Sequence, residues 1–269
     1  MLQNNPHVDV IRVVKEEFLK TTGYRYLWRY PADLVSTLTD KKKRYYRLYF
    51  QYVPPSWLYE KPIKEIVPEI FSELGIKPDC MKVQLFFTKK EEDRARRMLA
   101  PYKDVILLHI HSRSSTKHHW PMENWEQLVR SMPDYTFIQV GLADEPSVKG
   151  ALDWRGKTGV REAYCLLKYS LTFVGIDSSF AHATNAFDLP GVVLWGDTSP
   201  VHWGHENNIN LFKKVPCSPC YYYLYDNPCP FDHECMRSIT VEEVRNALLR
   251  QIVPGKKRLT FLGYTSPVY

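Results

Sequence analysis

The apolar run V-I-L-L-H-I at residues 105–110 constrains this chain more than any other feature. Such a run has no polar face, so it suits a strand covered on both sides, as in a parallel sheet between helices. Its surroundings repeat the theme. Residues 83–87 read as a short strand, and Thr88 follows as an N-cap for a charged helix over 89–99. Helices are then expected near 123–130, 160–169 and 178–187, and strands at 135–140, 172–176 and 191–195. This alternation predicts an α/β fold, a parallel sheet with helices on both faces. Residues 216–236 form a loop rich in Cys, Pro and Tyr. Thr240, with Glu243 three residues on, makes the capping box of a final helix.

Residues 1–75 are different: rich in Tyr, Trp and Pro, with irregular periodicity and weak strand signals around 8–14. A helix is expected over 63–74, where Ile66, Ile70 and Leu74 recur every four residues before Gly75 ends it. The domain boundary falls near 76–82, so the expected division is 1–78, 79–253 and a tail, 254–269. Composition excludes wholesale disorder, collagen and coiled coil: of the 269 residues 44% are hydrophobic and 25% charged. No apolar run approaches the roughly 18–20 residues that span a membrane. Asp9 interrupts the position where a signal peptide would be apolar, so a cytoplasmic location is expected. The net charge of +6 peaks at Lys41–Arg44, which runs into Tyr45, Tyr46, Arg47, Tyr49 and Phe50. We read this segment first as a solvated helix face and second as a contact with an anionic membrane surface, peripheral at the inner membrane. No nucleic-acid partner is expected.

In an open parallel sheet ligands gather beyond the carboxyl ends of the strands. That rule selects 109–120, 141–145, 177–182 and 196–205. The first place, H-I-H-S-R-S-S-T-K-H-H-W-P, offers Ser115, Thr116 and Lys117 just before a helix, donors suited to a diphosphate. A metal site at His109, His111, His118 and His119 is the rival reading, but no obvious Asp or Glu partner lies nearby. The third place presents Asp177, Ser178 and Ser179 at a helix start, with His182 one turn in. Neither a G-x-S-x-G elbow nor a G-x-G-x-x-G loop follows any strand, which counts against a hydrolase triad and against dinucleotide oxidoreduction. Separately, Cys217, Cys220, Cys229 and Cys235 supply four thiols on one loop. They are candidates for structural zinc or iron, with free or reversibly oxidised thiols as the alternative.

Taken in order, the blocks K-H-H-W-P-M-E-N-W (117–125), G-L-A-D-E (141–145), G-K-T-G-V-R-E (156–162), V-G-I-D-S-S-F-A-H (174–182) and L-P-G-V-V-L-W-G-D-T-S-P (189–200) resemble glycosyltransferase family 9, the heptosyltransferases and their relatives. P-C-S-P-C and the following C-M-R-S-I-T-V-E-E-V complete the series. The resemblance implies two Rossmann-like domains of the glycosyltransferase B type facing across a cleft, the N-terminal one shortened here. It implies an inverting transfer from a nucleotide-sugar donor, ADP-heptose, without an organic cofactor. The acceptor would be a glycan, a lipopolysaccharide core or a protein. By position, Thr116 and Lys117 would hold the diphosphate, with Lys117 stabilising the leaving nucleotide. Glu145 would meet the ribose, and Lys157 and Thr158 would lie beside the base. Asp177, Ser178, Ser179 and His182 would form the opposite wall.

Two departures from the family pattern stand out. The loop carrying the family's catalytic Asp is not found before the N-N-P-H-V-D block at residue 4, and Asp9 and Asp33 do not replace it. Ser178-Ser179 stands where a Thr/Ser-Gly pair is common. The alternative reading is therefore a non-catalytic nucleotide-sugar-binding module that docks a partner or a second copy of the chain.

Overall fold

The computed structural model describes residues 82–113, 115–220 and 229–252. The chain divides into two units, Met1–Cys80 and Met81–Tyr269, and all described residues belong to the second. The helix expected over 63–74, the strand signals at 8–14, the basic segment 41–50 and the tail 254–269 lie outside the described residues.

Six parallel strands form one sheet: β1 (Val105–His109), β2 (Thr136–Gln139), β3 (Leu152–Asp153), β4 (Thr172–Ile176), β5 (Gly191–Trp195) and β6 (Ile209–Phe212). Their order is β3-β2-β1-β4-β5-β6. The helices are α1 (Lys89–Leu99), α2 (Met122–Arg130), α3 (Val160–Tyr169), α4 (Ser179–Ala186), α5 (Pro200–Trp203), α6 (Glu234–Arg237) and α7 (Val241–Gln251). The α/β expectation holds for this unit. Every residue of β1, β4 and β5 is buried, because helices cover both faces.

Strand alternation sorts the side chains into two cores. Ile106, Leu108, Val174, Ile176, Val192 and Leu194 pack with Trp125 and Leu128 of α2 and Val244 and Leu248 of α7. Leu107, Phe173, Val193 and Trp195 point the other way, against Leu99 of α1, Leu166 of α3 and Phe180 of α4. Trp120 crosses Trp125 edge-on at 4.7 Å, and its indole N–H donates to Ile239 O at 2.8 Å. The first and last helices start as their sequences predict. Thr88 with Glu91, and Thr240 with Glu243, form complete capping boxes. Lys168 reaches Glu92 at 2.5 Å and Arg161 reaches Glu91 at 2.5 Å, tying α3 to α1.

Some expectations fail for identifiable reasons. Residues 83–87 join no sheet: Val83 N–H donates to the Asn185 side chain at 3.1 Å, and Phe87 packs against Phe187. Local apolar content marked a strand there, but side chains of the helical layer took up its partners. β3, β6, α5 and α6 were not foreseen, being two to four residues long and lacking any full period. Among the described residues no helix is long and apolar enough to cross a membrane.

Gly175 pairs with His109 at the centre of the sheet. A Cβ there would collide with the His109 carbonyl oxygen and the Phe173 ring. Gly175→Ala should therefore lower stability by about 1–3 kcal/mol through overpacking. Urea unfolding checks this, and an unchanged midpoint would show that the β1–β4 contact has slack.

Candidate functional site

Because all six strands are parallel, their carboxyl ends share one edge. Chain order reverses between β1 and β4, so the following loops part there and leave a crevice. A cavity of about 500 Å³ occupies it, and all four places selected by the crevice rule contribute to its lining. His109, His111, Arg113 and His118 come from β1 and its loop. Gly141, Leu142 and Glu145 follow β2, Asp177–Phe180 and His182 follow β4, and Thr198 and Trp203 follow β5. Thr158, Val160 and Ala163 close the cavity from the start of α3.

The walls are built from specific contacts. The His109 ring stacks on Phe180 at 4.5 Å, and burial pushes its pKa down to about 4, so the imidazole is neutral. His111 lies 4.4 Å from the His119 ring, its Nδ1 3.9 Å from Glu145. Gly141, at a positive φ of 151°, makes room for the Glu145 carboxylate, which a Cβ would strike. Gln139 holds that loop from below: its amide donates to Pro146 O at 2.7 Å and accepts from Val148 N at 2.8 Å. Arg155 donates to Glu145 O from the other side. Thr198 Oγ1 donates to Asp177 at 2.7 Å, and His182 Nδ1 lies 2.9 Å from His205 Nε2. Burial lowers the pKa of both histidines of this pair, His205 to about 4.

Asp197, wholly buried, joins two loops. Its Oδ1 lies 2.7 Å from His118 Nδ1, and its Oδ2 accepts from Ser115 Oγ at 2.7 Å. Burial works against a charged His118, but the Asp197 carboxylate, with Asp177 further off, outweighs it and holds the imidazole above its ordinary value.

Five buried polar atoms of the lining have no hydrogen-bond partner: His109 Nδ1, His111 Nδ1, Glu145 Oε2, Thr158 Oγ1 and Ser178 Oγ. Ser178 caps α4 by position alone, its hydroxyl making no cap bond. An orphaned buried polar group costs about 1–3 kcal/mol. Five around one cavity make it a pocket for a polar ligand.

Glu145, Thr158, Asp177, Ser178, Ser179 and His182 are thus brought together as expected. Ser115, Thr116, Lys117 and Lys157 are not among the lining residues. Lys117 is buried within a 3₁₀ turn, Thr116–His118, where consecutive side chains diverge by a third of a turn. That places His118, not Lys117, in the wall. Lys157 Nζ instead donates to Asp153 O at 2.5 Å. The sequence reading also missed Asp197 and Trp203, although the crevice rule pointed at their loop. Its statement that no acid accompanies the histidines is corrected: Asp197 and Glu145 reach them from β5 and β2.

Cys217, Cys220, Cys229 and Cys235 are the candidate metal ligands of the sequence reading. All are free thiols, and among the described residues no group of three or more His, Cys, Asp or Glu side chains is arranged to hold a metal. The sulfurs share one locality, since neighbouring thiols of the four add to the upward shifts of Cys217, Cys220 and Cys235. Cys220 is fixed by its amide to Asp197 O at 2.8 Å, Cys235 lies in the core, and Cys229 Sγ accepts from His233 N at 3.3 Å. Burial pushes Cys220 to about 11 and Cys235 to about 12, which keeps both protonated.

Residues 67–228, more than half of the chain, match the family model Glycosyltransferase family 9 (heptosyltransferase). Lipopolysaccharide heptosyltransferase 1 of Pseudomonas aeruginosa is 27% identical over 137 residues, 45% of this chain but only 36% of that enzyme's length. A family 9 glycosyl transferase from Veillonella parvula superposes with a TM-score of 0.57 at 14% identity, over 78% of this chain and 63% of that one. The ADP-heptose heptosyltransferase II of E. coli gives 0.52 at 16%, over 65% and 55%. The last two likenesses are of fold.

The histidines make stability depend on pH. His109, His119 and His205 have folded values of about 4 against an ordinary 6.5, so the unfolded chain binds more protons between these limits. Stability should therefore fall as pH drops through that window. His118 acts oppositely, adding stability below 6.5 that is lost as pH rises through its raised value. The urea midpoint should drop between pH 7 and pH 5, and drop less in His109→Phe, which keeps the stack on Phe180. Equal midpoints at the two pH values would contradict the burial of these rings.

Proposed function

This chain belongs to glycosyltransferase family 9, and on that premise we propose that its crevice binds the nucleotide-diphosphate portion of a sugar donor, ADP-heptose, for transfer of the sugar to a glycan, lipopolysaccharide-core or protein acceptor. The observation that carries this reading is the set of five unpartnered polar atoms around one cavity at the strand ends. Each has a use. The Glu145 carboxylate accepts hydrogen bonds from ribose hydroxyls, and Thr158 adds a hydroxyl beside them. Ser178, at the N-terminus of α4, offers a hydroxyl where backbone N–H groups and the helix dipole favour phosphate oxygens. Half-exposed Leu142 and Trp203, with exposed Val160, supply an apolar rim for the flat base.

The chemistry is an inverting displacement. An acceptor hydroxyl oxygen attacks the anomeric carbon from the face opposite the diphosphate, and its proton passes to a base. The bond from anomeric carbon to phosphate oxygen breaks, and its electron pair leaves on the nucleotide diphosphate. Within this unit the side chains described above bind and orient the leaving half, which lowers the barrier by fixing geometry and matching developing charge.

Calorimetric titration with ADP, UDP and GDP, followed by a transfer assay with the best binder's sugar, tests the reading. ADP should bind most tightly, and Glu145→Gln and Thr158→Val should each weaken it roughly tenfold. Absence of nucleotide binding would overturn the proposal. Binding without transfer would keep the donor site and withdraw the reaction from this chain.

A further inference from the structure

The cavity's charge distribution poses a problem for a diphosphate. Among its lining residues Glu145 and Asp177 are acidic, and the guanidinium of Arg113 is already paired with Asp144 at 2.5 Å. Lys117, the obvious cation in sequence, is buried and does not line the cavity. Burial holds His109 and His182, two of the four histidines in the lining, below their ordinary values. A multiply charged anion entering this space would meet more acid than base unless one further group supplied positive charge.

His118 is built to do so. It lines the cavity, is almost completely buried, and lies 2.7 Å from a carboxylate with no solvent exposure. Asp197 cannot swing away, because Ser115 Oγ donates to it and its backbone carbonyl accepts from Cys220 N. Buried carboxylates persist only when paired, so Asp197 and a charged His118 require each other. Groups facing His118 act in both directions. Asp197 after β5 and Asp177 after β4 favour its cation, whereas Lys117 and His119 on its own segment oppose it.

We infer that His118, held as an imidazolium by the Asp197–Ser115 brace, is the cation that receives the donor's diphosphate in this protein. This rests on the donor-binding reading above and goes beyond it by making diphosphate recognition depend on a titratable group. Nucleoside recognition, which uses the Glu145 and Thr158 side of the cavity, is independent of His118. Diphosphate affinity therefore falls as pH rises through the histidine's raised value, while nucleoside affinity stays level.

The experiment is calorimetric titration of the full chain with ADP and with adenosine, for the unmodified protein, His118→Gln and His118→Lys. At pH 6.5 His118→Gln should bind ADP roughly 10- to 100-fold more weakly and adenosine equally well. His118→Lys should bind ADP within about threefold of the original, because it restores a cation. From pH 6.5 to 9 the ratio of ADP affinities, unmodified protein over His118→Lys, should decline; taking the ratio removes the ligand's own protonation. Equal ADP binding by His118→Gln, or a flat ratio, would overturn the inference while leaving the donor site intact. Failure of the unmodified protein to bind ADP would instead bring down the donor reading, and this one with it. Should His118→Gln fail to fold, as judged by its urea transition, the ratio against His118→Lys decides alone.

Discussion

The parallel pairing of β1 with β4 at the middle of the sheet is the contact on which the rest depends. These two strands are consecutive neighbours in space but not in sequence, and the chain leaves them in opposite directions. The loops that follow must therefore separate, and the crevice is the space between them. Gly175 lets the two backbones meet without a Cβ between them. His109 ends one strand and Asp177 follows the other, so both reach the cavity without any special local conformation.

Above that crevice the fold accommodates several buried polar groups that would be costly elsewhere. Asp197 is the extreme case: wholly buried, it is matched by His118 and Ser115 and linked to the cysteine loop through Cys220 N. Ser218 Oγ adds a second tie to the same strand end, donating to Gly196 O. The cysteine-bearing segment is thus anchored to the carboxyl edge of β5 by hydrogen bonds and by the packing of Cys235 and Met236 in the core. The orphaned atoms opposite it are left for a ligand, since no neighbour among the described residues satisfies them. A scaffold with two well-packed cores can carry such local cost.

Much of the fold was legible in the residue pattern. The apolar runs of β1, β4 and β5, the capping boxes at Thr88 and Thr240, and the amphipathic spans of α1, α3 and α7 all carry periodic or capping signals within a few residues. The crevice rule then located four of the five segments that line the site without knowledge of any side-chain position; the start of α3 is the fifth. Residues 83–87 show the limit of that method. Their composition suits a strand, but Asn185 and Arg161 take their backbone groups, and no pattern within five residues reports partners about 75 and 100 positions away.

What the sequence determined by itself is the alternation of strand and helix, the parallel sheet and the edge at which a ligand gathers. Each follows from hydrophobic period and terminus chemistry read over short windows. Only the tertiary structure decided which side chains meet there. A three-residue turn buried Lys117 and presented His118, and the end of β5 delivered the Asp197 that favours its charged form. The physical reason is that a charge or a hydrogen bond belongs to a pair, and the partner's position is set by long-range strand order rather than by neighbours in the chain.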